Sequence, residues 1–436
     1  MNDKKVPKRI SNFILNALQG GVVPPQGLGY IAVGREQEIN ALLKDIEIIE
    51  DGGATFRLVT GKYGSGKTFL LQTIKEHAIA KGFVVSFADL SPDRNLSGNN
   101  TSKKGLATYR ELLGNMCTKS SPTGGALEKV LDGWINNVWM DVAQSMASGA
   151  ITGNELEKQV INRIYDTIRD MQTMIHGYDF STALILYWKA SRSGDQETKS
   201  KALRWLRGEY PTKSEAKRDL GIPSIINDDD WFDYIKLFAK LLHNMKYKGY
   251  IIMIDELINI AKSVKSATRQ RNYEKMLSMY NDALQGRASY LGIIMGGTPN
   301  SVENRYSGVF SYEALRSRLQ SGSFSDPSVI NLMAPIIRIQ PLTKSEIVVL
   351  LEKLTDIHSD FYQYNSNITS DDILFFVNEV FSKQMNMQIT PRSIIRDYID
   401  VLNLLLQHPQ YDIRTVIMNY KWNEDFEEEV SETDDD

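Results

Sequence analysis

Residues 56–68 read Phe-Arg-Leu-Val-Thr-Gly-Lys-Tyr-Gly-Ser-Gly-Lys-Thr, and residues 69–82 continue FLLQTIKEHAIAKG. Phe56–Thr60 is a short apolar run with β-branched residues, bounded by Gly52-Gly53 and Gly61, as a buried strand is. The segment from Lys67 has helical period and meets a natural terminator at Gly82. Between them, Gly61 to Thr68 satisfies G-x-x-x-x-G-K-[ST], in the strand-to-helix context that the motif requires. The spacing has a physical cause. Backbone N–H groups must close around a phosphate, so Gly64 and Gly66 keep Cβ atoms out of the loop, and the helix that follows turns its positive end to the anion. Gly61, Tyr63, Gly64, Ser65 and Gly66, with Lys67, Thr68 and Phe69 at the helix start, are the candidate ATP-binding set. Lys67 is expected on the β- and γ-phosphates and the Thr68 hydroxyl on Mg²⁺.

FVVSFADL (83–90) reads as the next strand, so the chain opens a βαβ unit and with it a parallel α/β sheet. From about 91 to 245 the patterns turn helical, in ATYRELLGNM, ALEKVLDGWINNVWMDVAQSM, ELEKQVINRIYDTIRDMQTMI, ALILYWKA, KALRWLRGEY and DWFDYIKLFAKLLHNM. The sheet resumes at YIIMIDE (250–256), SYLGIIMGGT (289–298) and PIIRIQ (335–340), and helical patterns run again from Lys344 through Leu406. The expectation is a P-loop sheet with a long helical insertion and a C-terminal helical domain. Its boundaries are a basic arm and connector at 1–30, a core at 31–340, a helical domain at 341–422 and an acidic tail at 423–436.

YIIMIDE ends in two carboxylates, at the strand end where ligands bind in open α/β sheets. Asp255 is expected in the Mg²⁺ shell. Glu256 is expected to orient and polarise the attacking water, a group that a kinase, whose nucleophile comes with its substrate, does not need. The strand SYLGIIMGGT runs into Thr298 and Asn300, equal candidates for a side chain sensing the γ-phosphate; the plainer reading of TPN is a turn. In SYEALRSRL, Arg316 and then Arg318 are candidates for an arginine supplied across a subunit interface. Solvated surface arginines are the alternative. ITPRSIIRDYI places Arg392 at a helix start, where a docked helical domain would bring a cation to the nucleotide, with Arg396 as the fallback.

Composition bounds the rest. With 50 basic and 54 acidic residues the net charge is −4, but nine of the acids lie between Glu424 and Asp436. Without them 50 basic face 45 acidic residues, a mildly basic body that permits nucleic-acid contact without arguing for it. No apolar stretch approaches the roughly 18 residues of a membrane span, and Asn12 and Asn16 interrupt the one apolar pattern near the start, so neither a membrane partner nor a signal peptide is read. A lone cysteine, Cys117, forms no internal disulfide, has no metal-ligand spacing around it, and fits a reducing, cytoplasmic setting. Lys4, Lys5, Lys8 and Arg9 read as a solvated basic cluster before an amphipathic helix of Ile10, Phe13, Ile14, Ala17 and Leu18.

Seven segments taken in order, VGREQEI, GKYGSGKT, IIMIDE, GIIMGGTPN, EALRSRL, IRIQPLTKSEI and TPRSI, resemble AAA+ ATPases of the branch containing initiators and STAND-type NTPases. The resemblance covers about 31–90 and 245–410. It implies Val33, Gly34 and Arg35 near the adenine and a lid after Pro341. More narrowly, GLGYIAVGREQEI, GKYGSGKTFLL, KALRWLRGEYPTKSEAKRDLGI and the long insertion before GYIIMIDEL are similar to the bacterial BREX-type ATP-binding proteins, BrxD-like and related to BrxC. That resemblance implies a role in anti-phage defence, in a gene cluster with nucleic-acid enzymes. The leading expectation is an ATP- and Mg²⁺-dependent hydrolase that acts as a homo-oligomeric switch or motor on DNA or on a partner protein of the defence system. Within KALRWLRGEY, Leu203, Trp205 and Leu206 read as core packing, with Arg204 and Arg207 as solvated charge. A slow-turnover signalling or scaffold NTPase is the alternative. A DNA-loading initiator has little room for a DNA-reading domain after the lid.

Overall fold

A computed structural model describes residues 5–98, 102–145, 153–322, 331–383 and 390–420. Lys4 and the acidic tail at 423–436 lie outside the described residues. In chain order come α1 (Lys8–Gln19), α2 (Leu28–Ile31), α3 (Glu36–Glu50), β1 (Ala54–Thr60), α4 (Lys67–Ala80) and β2 (Val84–Asp89). A run of helices follows: α5 (Lys104–Gly114), α6 (Leu127–Ser145), α7 (Gly153–Gln172), α8 (Gly177–Ser193), α9 (Gln196–Leu206), α10 (Lys213–Leu220) and α11 (Trp231–Asn244). Then come β3 (Tyr250–Asp255), α12 (Ile258–Ala261), α13 (Ser266–Leu284), β4 (Leu291–Gly297), α14 (Pro299–Glu303) and α15 (Glu313–Leu319). The chain ends through β5 (Ile336–Arg338), α16 (Lys344–Tyr362), α17 (Ser370–Lys383), α18 (Pro391–Gln407) and α19 (Ile413–Asn419).

Two compact units share these elements. One takes Gln37–Thr60 and Ile74–Arg338 and holds the sheet and the inserted helices; the other takes Met1–Glu36, Gly61–Thr73 and Ile339–Asp436.

In the sheet unit the five strands are all parallel, in the order β2-β3-β4-β1-β5. β3 and β4 are buried along their whole length, as strands covered on both faces must be. The connections out of the neighbours β1 and β4 run in opposite directions along the sheet, to β2 and to β5. Their boundary is therefore a topological switch point, where open α/β sheets bind ligands. Register aligns the strand ends, with Thr60 opposite Gly297 at that boundary and Asp89 opposite Asp255 between β2 and β3. A buried ion pair holds β1 to the helix before it: Arg57 Nε and Nη2 donate to the Asp45 carboxylate at 2.6 and 2.7 Å. The remaining guanidinium nitrogen donates to Ala334 O at 2.6 Å and Met333 O at 2.9 Å. Each of the three nitrogens of this buried cation therefore has an acceptor, the condition under which a buried charge is tolerated.

The inserted helices pack into the same core. Leu203, Trp205 and Leu206 are buried in it, in keeping with the packing reading, and Trp205 Nε1 donates to Ser224 O. Arg204 lies over the Tyr210 ring. The helix expected through Tyr210 stops at Leu206, because Gly208 takes a left-handed backbone (φ 69°). Cys117 is buried beyond α5 and trades backbone hydrogen bonds with Val85, covering the edge of β2.

The second unit packs α1 against α16 and α18, with Ile14 and Leu15 buried among Leu351, Leu354, Tyr398 and Leu402. α16 opens on a reciprocal capping box of Thr343 and Glu346, and α18 on one of Thr390 and Ser393 with Pro391 at its first position. The Gly- and Pro-rich connector at 20–30 carries the start of the short α2, which lay outside the loop reading.

Candidate functional site

The phosphate loop belongs to the helical unit and is held there by backbone geometry. Gly64 (φ 67°) and Gly66 (φ 96°) both take the left-handed conformation that glycine alone adopts without strain. At Gly64 a Cβ would also stand 2.7 Å from Cβ of Thr390, the cap of α18, so this glycine is needed for approach as well as for its dihedral. At Gly66 nothing lies within 4 Å of a built Cβ, and the loop is open on that side. Lys67 Nζ donates to Gly61 O at 2.9 Å and Lys62 O at 3.1 Å, so the ammonium group is drawn over the loop. The Ser65 hydroxyl is buried with no hydrogen-bond partner. Such a group costs about 1–3 kcal/mol if it stays unpaired. α4 begins at Lys67, and the first N–H groups of a helix have no carbonyl within it to bond.

Of the other residues expected around the nucleotide in this unit, Arg35 and Arg392 touch the loop. Buried Arg35 donates from Nη2 to Ser65 O at 3.0 Å. Gly34 (φ 69°) leaves room for the Glu346 carboxylate, which would touch a Cβ at 2.4 Å, and Val33 is packed at the edge of the helical core. Arg392 donates to Tyr63 Oη at 3.1 Å and lies over its ring at 4.9 Å. Tyr63 and Arg392 thus form a stacked pair, and Phe69 packs against the same helical core.

The acids stand at the carboxyl end of the sheet. Asp255 is 2% exposed, and its Oδ1 would lie 2.1 Å from a Cβ at position 296, so Gly296 of the neighbouring strand makes its room. The same oxygen accepts the Glu256 N–H at 2.8 Å. Half-buried Glu256 turns off the strand with φ 63°, a conformation costly for a residue with a Cβ. A third acid, which motif reading misses, ends β2. Partial desolvation first, then the negative charges of Asp255 and Glu256, push the Asp89 carboxyl up to about 6, against the pull of Arg94. Asp89 keeps contact with solvent, which screens this repulsion. The signal for Asp89 is the same as for Asp255, an acid closing an apolar strand. Among the described residues no group of three His, Cys, Asp or Glu side chains could hold a metal ion.

Thr298 caps α14, its hydroxyl accepting Ser301 N–H at 3.1 Å, and exposed Asn300 accepts from Asn304 Nδ2. Both follow β4, which lies between the strand of the phosphate loop and the strand of the acids. On α15, Arg316 is half-buried, and exposed Arg318 donates to Ala314 O within its own helix at 2.7 Å.

Residues 6–421 match the model of the family described as BREX system ATP-binding protein BrxC/D. The chain belongs to this family. No curated protein matches it. For a BrxC/D member the described residues fit a nucleotide's phosphates: a left-handed glycine loop at a helix start, a lysine over it, and a buried hydroxyl in need of a partner. Among the described residues no helix is long and apolar enough to cross a membrane.

Proposed function

We propose that this BrxC/D chain is a Mg²⁺-dependent ATP hydrolase of AAA+ type that works as a homo-oligomer in bacterial phage defence. The phosphate loop carries the reading: Lys67 is drawn across the Gly61 and Lys62 carbonyls, beside a buried Ser65 hydroxyl without a partner. In this proposal the loop N–H groups and Lys67 bind the β- and γ-phosphates, with Tyr63 and Phe69 beside them. Val33, Gly34 and Arg35 flank the base. Thr68 and Asp255 hold Mg²⁺, which supplies charge neutralisation on the phosphates when bound. Glu256 orients a water and takes its proton as the oxygen attacks the γ-phosphorus; the bond to the bridging oxygen breaks, releasing ADP and phosphate. Thr298 or Asn300 senses the γ-phosphate. Arg392 follows it from a lid at 341–422, the core being 31–340. Arg316, or Arg318, comes from a neighbouring subunit, and turnover moves the inserted helices on DNA or a partner protein.

Steady-state ATP turnover tests this. Glu256→Gln is expected to lower turnover ~100-fold or more while ATP binding persists, and Lys67→Ala to lose binding itself. Equal turnover by the Glu256→Gln protein and wild type overturns the assignment.

A further inference from the structure

We infer that two loops at the carboxyl ends of β3 and β4 form a contact surface for a single-stranded nucleic acid. The first loop joins α12 to α13. Between Leu257 and Tyr273 the chain carries four cations, Lys262, Lys265, Arg269 and Arg271, and no acid. Arg269 is spent internally, donating to Ser263 O at 2.5 Å, and so fixes the turn. That turn puts Val264 outward at 95% exposure. Lys262, Lys265 and Arg271 are exposed and make no side-chain hydrogen bond or ion pair among the described residues.

The second loop follows α14 and carries Arg305 and Tyr306. Tyr306 is 90% exposed, and Arg305 is exposed and likewise unpaired among the described residues. Its shape is imposed. Asn304 Oδ1 accepts the N–H groups of Tyr306 and Ser307 at 2.7 and 3.0 Å, and Tyr273 Oη of α13 donates to Ser307 O at 2.6 Å. The Tyr273 bond ties the aromatic loop to the helix that the basic turn begins, and α12 packs against both α13 and α14. Glu303 of α14, the acid two residues before Arg305, is paired with Arg338 at 2.7 Å.

Cations and an exposed ring on adjoining, internally braced loops match the chemistry of an unpaired strand. Phosphates meet the cations, and a base stacks on the ring. A duplex hides its base faces, so Tyr306 favours the single strand; an acidic polypeptide has no use for the ring. The inference rests on the proposed function only in taking these strand ends as the working edge of the sheet.

The test is fluorescence anisotropy with a labelled oligothymidine of ~20 nucleotides, long enough for one such site, on the full chain. Replacing Lys262, Lys265 and Arg271 together by Gln is expected to weaken binding ~10-fold or more and to reduce the log–log salt slope by about two. Tyr306→Ala is expected to weaken it ~5-fold or more with the slope unchanged, and to leave binding of a duplex of equal length as it was. All these positions are exposed, so melting temperatures should match wild type. Wild type that fails to bind at low salt overturns the inference. So does a triple variant that binds like wild type, a Tyr306→Ala loss equal on duplex, or displacement by polyglutamate as effective as by unlabelled oligothymidine. ATP turnover without nucleic acid, read on the same samples, separates the two proposals. Oligonucleotide binding without turnover sinks the proposed function alone, and turnover without binding sinks the surface alone.

Discussion

The phosphate loop and the acidic edge of the sheet are two regions rich in chemistry, built in opposite ways. The loop is made by its own backbone: left-handed Gly64 and Gly66, a lysine that reaches carbonyls five and six residues away, and a helix start. The acidic edge is made by neighbours distant in sequence. Asp255 has its space because residue 296 lacks a Cβ, and Asp89 feels Asp255 because register sets them side by side. A local device survives as long as its own few residues do. A device assembled across strands is exposed to changes where no functional atom sits.

Three substitutions probe that contrast, beginning with the largest effect. Gly296→Ala drives a Cβ to 2.1 Å from the Asp255 carboxylate in a fully buried strand, where backbone cannot yield. ATP turnover is expected to fall ~100-fold, since a displacement of about 1 Å in a site costs that much; ATP turnover near wild type would show that Asp255 can move freely. Gly64→Ala adds strain at φ 67° and a 2.7 Å encounter with Thr390. ATP affinity measured by titration calorimetry is expected to weaken ~10-fold, from a strain of order 1–2 kcal/mol. If binding were unchanged, the loop would be less self-determined than its backbone indicates.

The smallest effect concerns Asp89. Its carboxyl is raised to about 6 in the folded chain, so it holds a proton that the unfolded chain releases from about pH 4 upward. The stability this contributes is complete below the unfolded value and is lost as pH rises through about 6. Asp89→Asn removes the repulsion, so its melting temperature is expected to exceed that of wild type by about 2 °C or less at pH 7.5. The gain should vanish at pH 4. A gain that persists at pH 4 would place the cause outside the charge.

The strands are legible in the sequence for a simple reason. FRLVT, VVSFAD, YIIMID, LGIIMGG and the core of PIIRIQ are apolar runs bounded by glycine, proline or charge. Their order is not legible, because β1 pairs with β4 and β5, segments more than two hundred residues away. Among the helices, α13 escapes the periodicity reading because it opens on the polar run SATRQRN, and α10 because KSEAKRDL has only Ala216 and Leu220 to bury. In the candidate site, residues inside a spacing motif announce themselves. Asp89 does not, since one acid at a strand end has no partner in sequence, and Gly296 is silent because its role is an absence. The Arg392–Tyr63 pair joins residues 329 positions apart, beyond the reach of any local pattern.

Left-handed Glu256 bears on how this position can drift. A side chain with a Cβ costs of order 1–2 kcal/mol at such a dihedral, while glycine or asparagine rests there more easily. Selection for foldability alone would erode the carboxylate toward those residues. On the proposed function, the chemistry of its oxygens is what opposes that slope, and a copy of this chain relieved of that chemistry would be free to lose the glutamate first.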